Sequence, residues 1–194
     1  MIRTAASDDR NAAIATLTLA FATDPTVRWF YPETERYTRN FGALARVFGG
    51  KAFDHGTAHL VDGCIGAALW LPPGVQPDEE ELGGLMQQSA EVSLQDDLFA
   101  MMEQMDAFHP REPCWHLTLI GVDQPHRGRG YASALLAHAL TRCDRDGVPA
   151  YLESTNPANQ PLYERHGFEP LGEIQAGSSP VMVPMMRRPR RPTA

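Results

Sequence analysis

Trp115-His116-Leu117-Thr118-Leu119-Ile120-Gly121-Val122, followed within five residues by Arg127-Gly128-Arg129-Gly130-Tyr131-Ala132-Ser133, is the stretch on which the fold turns. The first run is apolar and rich in residues that suit a pleated surface, so it predicts a central strand. The second opens a helix that runs to about Asp144. Ala132, Leu135, Leu136, Ala139, Leu140 and Cys143 recur at spacings of three and four, which places them on one inward face, and Gly147 closes the helix. Val148 to Ser154 reads as the next strand, completing one β-α-β unit late in the chain.

The turn between strand and helix carries the chemistry. At a helix start the first amide N–H groups have no partner within the helix, and the dipole adds roughly half a positive charge, so an anion docks there. Gly128 and Gly130 remove side chains where a pyrophosphate must approach the main chain. A flexible surface turn is the plainer alternative. Gly128-x-Gly130-x-x-Ser133 also nearly matches a dinucleotide fingerprint, with Glu153 about twenty residues later. Against that stand the serine in place of the third glycine, the single β-α-β unit and the late position in the chain. Lys51 in Phe48-Gly49-Gly50-Lys51-Ala52 has neither the hydroxyl neighbour nor the upstream glycine of a P-loop.

Working outward, Ile2 to Ala5 predicts a short strand and Ser7 the N-cap of a helix to about Phe21, with Ile14, Leu17 and Phe21 on its buried face. Asp24-Pro25 breaks it, and Trp29-Phe30-Tyr31-Pro32 reads as irregular before a helix over about Arg36 to Phe48. Ala58 to Val61 and Ile65 to Leu71 form two strands about Asp62-Gly63. Between Pro72 and Pro113 lies a polar, Met-rich segment. Glu79, Glu80 and Glu81 open a helix there, and Leu94, Leu98, Met101, Met102 and Met105 repeat at helical spacing, read as core packing. Asn156 to His166 holds a short helix stopped by Gly167, and Leu171 to Ile174 and Val181 to Met185 supply two last strands.

At 194 residues with 43% hydrophobic and 21% charged residues, the chain suits one α/β domain, expected over residues 1–186. The run from Arg187 to Arg191 marks residues 187–194 as a basic, disordered tail. A net charge of −7 opposes nucleic-acid binding and suits a cationic amine. No apolar run is long enough to span a membrane, and Met1-Ile2-Arg3-Thr4 lacks a signal pattern, so a cytoplasmic location is expected without a membrane partner. Cys64, Cys114 and Cys143 are three, far apart and never in a C-x-x-C pair. They predict buried thiols, with no disulfide framework and no metal site.

Two elements then decide between the phosphate-binding readings. Arg127-x-x-Gly130-x-Ala132 resembles the pyrophosphate loop of the GNAT acetyltransferases, and Asn156 through Tyr163 to Gly167-Phe168 resembles that family's downstream N-x6-Y-x3-G-F element. Within the family, Glu112-Pro113-Cys114-Trp115, Tyr151-Leu152-Glu153 and Pro161-Leu162-Tyr163-Glu164-Arg165 are most similar to puromycin N-acetyltransferase and its relatives. The resemblance implies an α/β GNAT fold: a mixed, mostly antiparallel sheet, splayed between its fourth and fifth strands and flanked by helices. It implies acetyl-coenzyme A as acyl donor and a small-molecule amine as acceptor, with a homodimer left open. Residues 127–133 would hold the pyrophosphate. Ile120, Gly121 and Val122 would offer backbone to the pantetheine arm, with a backbone N–H near Ile120 for the oxyanion. Asn156 and Asn159 would hold the arm's amides or cap the short helix.

Tyr163 is the expected general acid, its phenol staying protonated at neutral pH, or else a core aromatic. Glu153 is the preferred base. His116 is the other candidate, on the substrate side, or a satisfied core histidine. Trp29, Phe30 and Trp70 are expected to line an acceptor pocket covered by the segment from Pro72 to Pro113. An acyl-coenzyme A sensing module and a protein N-acetyltransferase remain alternatives, and the amine is not legible.

Overall fold

A computed structural model describes residues 1–190 and places them on one seven-stranded sheet. Its strands are β1 (Ile2–Thr4), β2 (Ala58–Val61), β3 (Gly66–Leu71), β4 (Trp115–Val122), β5 (Ala150–Ser154), β6 (Glu169–Pro170) and β7 (Val183–Arg187). Their spatial order is β1-β2-β3-β4-β5-β7-β6, with β4 and β5 parallel and every other pair antiparallel. The helices are α1 (Arg10–Ala20), α2 (Pro25–Phe30), α3 (Thr34–Gly49), α4 (Lys51–Asp54), α5 (Glu79–Ser89), α6 (Gln95–Phe108), α7 (Tyr131–Asp146) and α8 (Gln160–Arg165). The parallel β4–β5 join needs a long crossover, and α7 supplies it.

Side-chain alternation divides the core between the two sheet faces. On β3, Ala67, Leu69 and Leu71 join the cluster under α1, α3 and α6, whereas Ala68 and Trp70 join the cluster under α7. Trp70 pairs with Leu117 and Leu69 with Leu119, so Thr118 is an extra residue on β4. This bulge reverses the alternation: Leu117 packs with the α7 cluster and Leu119 with the other. β4 and β5 pair only over Trp115–Leu117 and Ala150–Leu152. Beyond those residues they part, which is the expected splay.

Several local expectations change. Ser7 lies inside a 3-10 turn (Ser7–Asp9) rather than capping α1; the Asp9 carboxylate accepts from the Ala6 N–H at 2.7 Å. The segment expected to be irregular at Trp29-Phe30 is part of α2. Asp24 caps that helix through the Val27 N–H at 3.1 Å, and Pro25 stands in its first turn, so Asp-Pro starts a helix as well as ending one. The Asp62-Gly63 connection is a 3-10 turn carrying left-handed Gly63 and Cys64. Leu171 to Ile174 keeps only one bridge, Ile174 to Met182, because β6 pairs earlier, at Glu169–Pro170. The domain boundary expected after residue 186 falls inside β7. Arg187 is 3% exposed and grips Asp144 bidentately at 2.7 and 2.8 Å, which holds that carboxyl below its usual range. Residues 191–194, the end of the expected tail, lie outside the described residues. Cys114 and Cys143 are buried and Cys64 half-buried, all free thiols.

Candidate active site

The turn before α7 is built by conformation. Gly128 and Gly130 take left-handed φ angles of 75° and 81°, which L side chains adopt only with strain. Gly130 is the N-cap of α7 and no side chain caps that helix, so its first amides remain available to an anion. Arg127 does not reach outward: its guanidinium donates to the Ala20 carbonyl at 2.5 Å and to the Val122 carbonyl at 3.3 Å, tying the turn to the end of α1. Arg129 is exposed. Tyr131, Ala132 and Ser133 are half-buried, and the Ser133 hydroxyl meets His166 Nε2 at 2.8 Å. Gly121 lets β4 lie against α1, since a Cβ there would stand 2.5 Å from that of Ala20.

Where β4 and β5 part, a cavity of about 620 Å³ opens on the face covered by α3, α5 and α6. His116 to Ile120 line it from β4, and Leu152, Glu153, Thr155, Asn159 and Tyr163 from β5 and the chain after it. Four phenylalanines and five methionines stand in the remaining wall, beside Glu79, Glu103 and Asp106. Leu98 and Met101 are core residues, as the spacing predicted, but they also line the cavity with half-buried Met102 and Met105. The Met stripe of α6 is therefore wall as well as packing.

A polar cluster stands at one end of this apolar space. His116 Nε2 lies 2.9 Å from Glu153 Oε2, and both side chains are 6% exposed. Burial opposes the Glu153 charge, yet the neighbouring His116 with its hydrogen bond, and the nearby Tyr151 hydroxyl, outweigh it and hold the carboxyl below its usual range. The Tyr151 hydroxyl is buried and closes no full hydrogen bond, but burial and the Glu153 charge push its pKa up, so it stays protonated. His109, just past the end of α6, stands edge-on to His116 with ring centroids 5.3 Å apart. Burial and the neighbouring His116 push its pKa down. Tyr163 is 6% exposed, and burial raises its pKa, with buried Asp24 adding to the effect. Burial raises Asp24 too, although Thr155 and Val27 donate to it.

The structure thus brings together Phe30, His116, Ile120, Glu153, Asn159 and Tyr163. Trp70, expected in the pocket, lies on the opposite face at 1% exposure, because strand alternation turns it towards α7. Trp29 sits outside the cavity wall and donates its indole N–H to Ser178. Asn156 caps the turn after β5 through the Ala158 N–H. The Val122 carbonyl is already engaged by Arg127. Sequence reading passed over His109, Tyr151, Asp24 and Thr155. Asp24 had a signal, since Asp before Pro is a helix start as often as a break; His109 before Pro110 read only as a loop.

The Acetyltransferase (GNAT) family model matches residues 78–168, spanning α5 to the turn after α8. An uncharacterised N-acetyltransferase of Schizosaccharomyces pombe is 27% identical over 191 residues, covering 86% of this chain and 72% of that protein. A solved structure from Corynebacterium glutamicum, described as histone acetyltransferase HPA2 and related acetyltransferase, superposes with a TM-score of 0.67 at 26% identity. That match covers 100% of this chain and 98% of the other. The polyamine N-acetyltransferase of Drosophila melanogaster, which forms N-acetylagmatine, gives 0.67 at 13% identity over 97% of this chain and 99% of that one, a likeness of fold. The chain is thus similar to GNAT acetyltransferases over residues 78–168, and to these neighbours along most of its length. Among the described residues no cluster of His, Cys, Asp and Glu could hold a metal, and no helix is long and apolar enough to cross a membrane.

Proposed function

We propose that this GNAT-type chain moves the acetyl group of acetyl-coenzyme A to a primary amine of a small molecule by direct attack. Two features of β4 carry the reading: where it parts from β5 an apolar cavity ends on a buried Glu153–His116 pair, and the turn after it leads to an uncapped, glycine-flanked helix start. The amides before α7 would hold the pyrophosphate, and the wedge would take the pantetheine arm beside Ile120, with Asn159 within reach of its amides. A cavity covered by α5 and α6 suits a small acceptor better than a protein lysine, which would need an open groove.

The amine nitrogen forms a bond to the thioester carbonyl carbon, and the C–S bond then breaks to give an amide and the free thiol. An alkylammonium must first lose a proton, which costs about 4–5 kcal/mol at pH 7. Glu153, held ionised by His116, accepts that proton directly or through water. A backbone N–H near Ile120 faces the developing oxyanion. Tyr163 gives its proton to the departing sulfur. Burial makes the phenol a weaker acid, but the same burial makes a thiolate a stronger base. Burial pushes the Cys114 and Cys143 thiols up in the same way, so the two effects act in opposite directions on the transfer.

The test is thiol release from acetyl-coenzyme A across a panel of primary amines, with coenzyme affinity measured in parallel by calorimetry. Turnover with at least one amine and micromolar coenzyme binding is expected. Tight binding without release across the panel would favour an acyl-coenzyme A sensor instead.

A further inference from the structure

We infer that Asp24 is a positioning residue for acetyl transfer: clamped to Thr155, it fixes the width of the wedge between β4 and β5 and so holds the pantetheine arm in line with the cavity. The inference rests on the acetyltransferase reading and gives a task to a buried carboxylate that the reaction itself leaves unused. Asp24 is 7% exposed and stands behind the cavity wall rather than in it. Its two oxygens serve different partners. Oδ1 accepts from the Val27 N–H at 3.1 Å, which caps α2, and Oδ2 accepts from the Thr155 hydroxyl at 2.7 Å. Thr155 returns the contact, its carbonyl accepting from the Thr26 hydroxyl at 3.1 Å. Two bonds thus join the start of α2 to the chain just after β5, across 131 and 129 residues of sequence.

The other end of the same segment is tied to the opposite side of the wedge. Arg127 donates to the Ala20 carbonyl and to the Val122 carbonyl at the end of β4, and Gly121 lies so close to Ala20 that a side chain would not fit. β4 and β5 stop pairing at Leu117 and Leu152, so both anchors sit where the strands have parted. Ala20 to Asp24 is therefore a strap across the open end of the wedge. Its four residue steps reach at most roughly 14 Å even when extended. The turn within it is closed further, since the Asp24 N–H donates to the Phe21 carbonyl at 3.0 Å. Such a strap cannot lengthen without breaking an anchor. Thr26, Val27 and Phe30 on one side of the clamp, and Thr155 and Tyr163 on the other, all line the cavity, so the clamp sets how the acceptor wall meets the arm. It needs hydrogen bonds at Asp24 rather than charge. Burial is the larger cause of the raised Tyr163 pKa, so the phenol stays protonated without that charge.

The test compares, by calorimetry, the binding of acetyl-coenzyme A and of 3′-phosphoadenosine 5′-diphosphate, which keeps the pyrophosphate and lacks the arm. Thr155→Val keeps the side-chain shape and the α2 cap while removing the clamp hydroxyl. It should weaken acetyl-coenzyme A about tenfold and leave the arm-less nucleotide within about twofold. Asp24→Ala should do the same, and the double variant should be no worse than either single one, because both remove one contact. Asp24→Asn should stay within about twofold of the unmodified chain, since its amide can accept from Val27 and donate to Thr155.

Folding of each variant is checked by its thermal midpoint. Equal weakening of both ligands, or of neither, in folded variants would overturn the inference and leave the acetyltransferase reading standing. So would additive losses in the double variant, or an Asp24→Asn chain as weak as Asp24→Ala, which would assign the effect to charge. If Asp24→Ala does not fold, Thr155→Val and Asp24→Asn still decide. No binding of acetyl-coenzyme A by the unmodified chain would sink both the inference and the reading beneath it.

Discussion

The two faces of the sheet are made by the same strands and have opposite fates. Under α7, Leu135, Leu136, Leu140 and Cys143 are between 0% and 4% exposed and close on Ala68, Trp70, Trp115 and Leu152. Under α3, α5 and α6 the packing stops short and leaves the cavity of about 620 Å³. Composition follows function on each side. The crossover helix presents short aliphatic side chains that interdigitate, as a filled core requires. The covering helices present methionine and phenylalanine around a space that closer packing would abolish. One face holds the domain together, and the other keeps a gap that the first must stabilise.

The largest expected effect tests that division. Leu135 is fully buried beneath α7, so Leu135→Ala should cost about 3 kcal/mol, within the usual range of roughly 2–5 kcal/mol for a buried leucine. Urea denaturation would read it as a lower midpoint at constant m. A cost below about 1 kcal/mol would mean that the α7 face is not the stabilising one.

Much of the packed face was legible in sequence, and less of the open one. Trp115–Val122, the glycine turn and the inward stripe of α7 follow from local periodicity and turn chemistry, which depend on neighbours in the chain. The bulge at Thr118 was hidden because β4 is apolar on both sides, so a reversal of alternation leaves no trace in its pattern. The misplacement of Trp70 follows from the same uniformity in β3, where every residue is buried. His109 reaches His116 only because α6 folds back across the sheet, and no local spacing records that contact. Glu153 and Tyr163 were legible through the family pattern, but the His116 partner of Glu153 is a contact across 37 residues.

On the open face, Tyr163→Phe should reduce kcat by about 100-fold while coenzyme affinity by calorimetry stays within about twofold, because the ring remains and only the donated proton is lost. An unchanged kcat would leave Tyr163 as a wall residue packed against Phe168. Loss of coenzyme affinity would mean that the hydroxyl binds rather than reacts.

Each face also carries a histidine pair, and the pairs differ in what surrounds them. His116 beside His109 has the Glu153 carboxylate. His59 beside His138 faces Arg142 and no carboxylate, and burial, then those two charges, push its pKa down to about 4. Its folded value lies below its unfolded 6.5, so the unfolded chain binds the extra proton between the two. Stability is full above pH 6.5 and declines as pH falls towards 4. His109 and His166, also lowered, add to this decline. Glu153 acts in a lower window, since its depressed folded value keeps its contribution in place above 4.5 and releases it only under stronger acid. His59→Leu should therefore remove about 2 kcal/mol of the loss between pH 6.5 and 4, read from urea midpoints at both values. An unaltered pH dependence would mean that His59 is protonated in the folded chain.

The smallest effect sharpens the contrast most. Met102 is half-buried in the cavity wall, and Met102→Leu conserves volume, so its stability cost should stay below about 1.5 kcal/mol. The consequence should appear in selectivity. Leucine is branched and has fewer rotatable bonds, so the wall adapts less to acceptors of different shape. The kcat/KM values of octylamine and phenethylamine, measured under one condition, should then separate by a further factor of about 3, while coenzyme affinity is unchanged. A variant that loses more stability than Leu135→Ala and leaves that ratio intact would reverse the assignment of the two faces. In that case α6 would be packing for the fold, and the acceptor would have to lie along some other wall of the wedge.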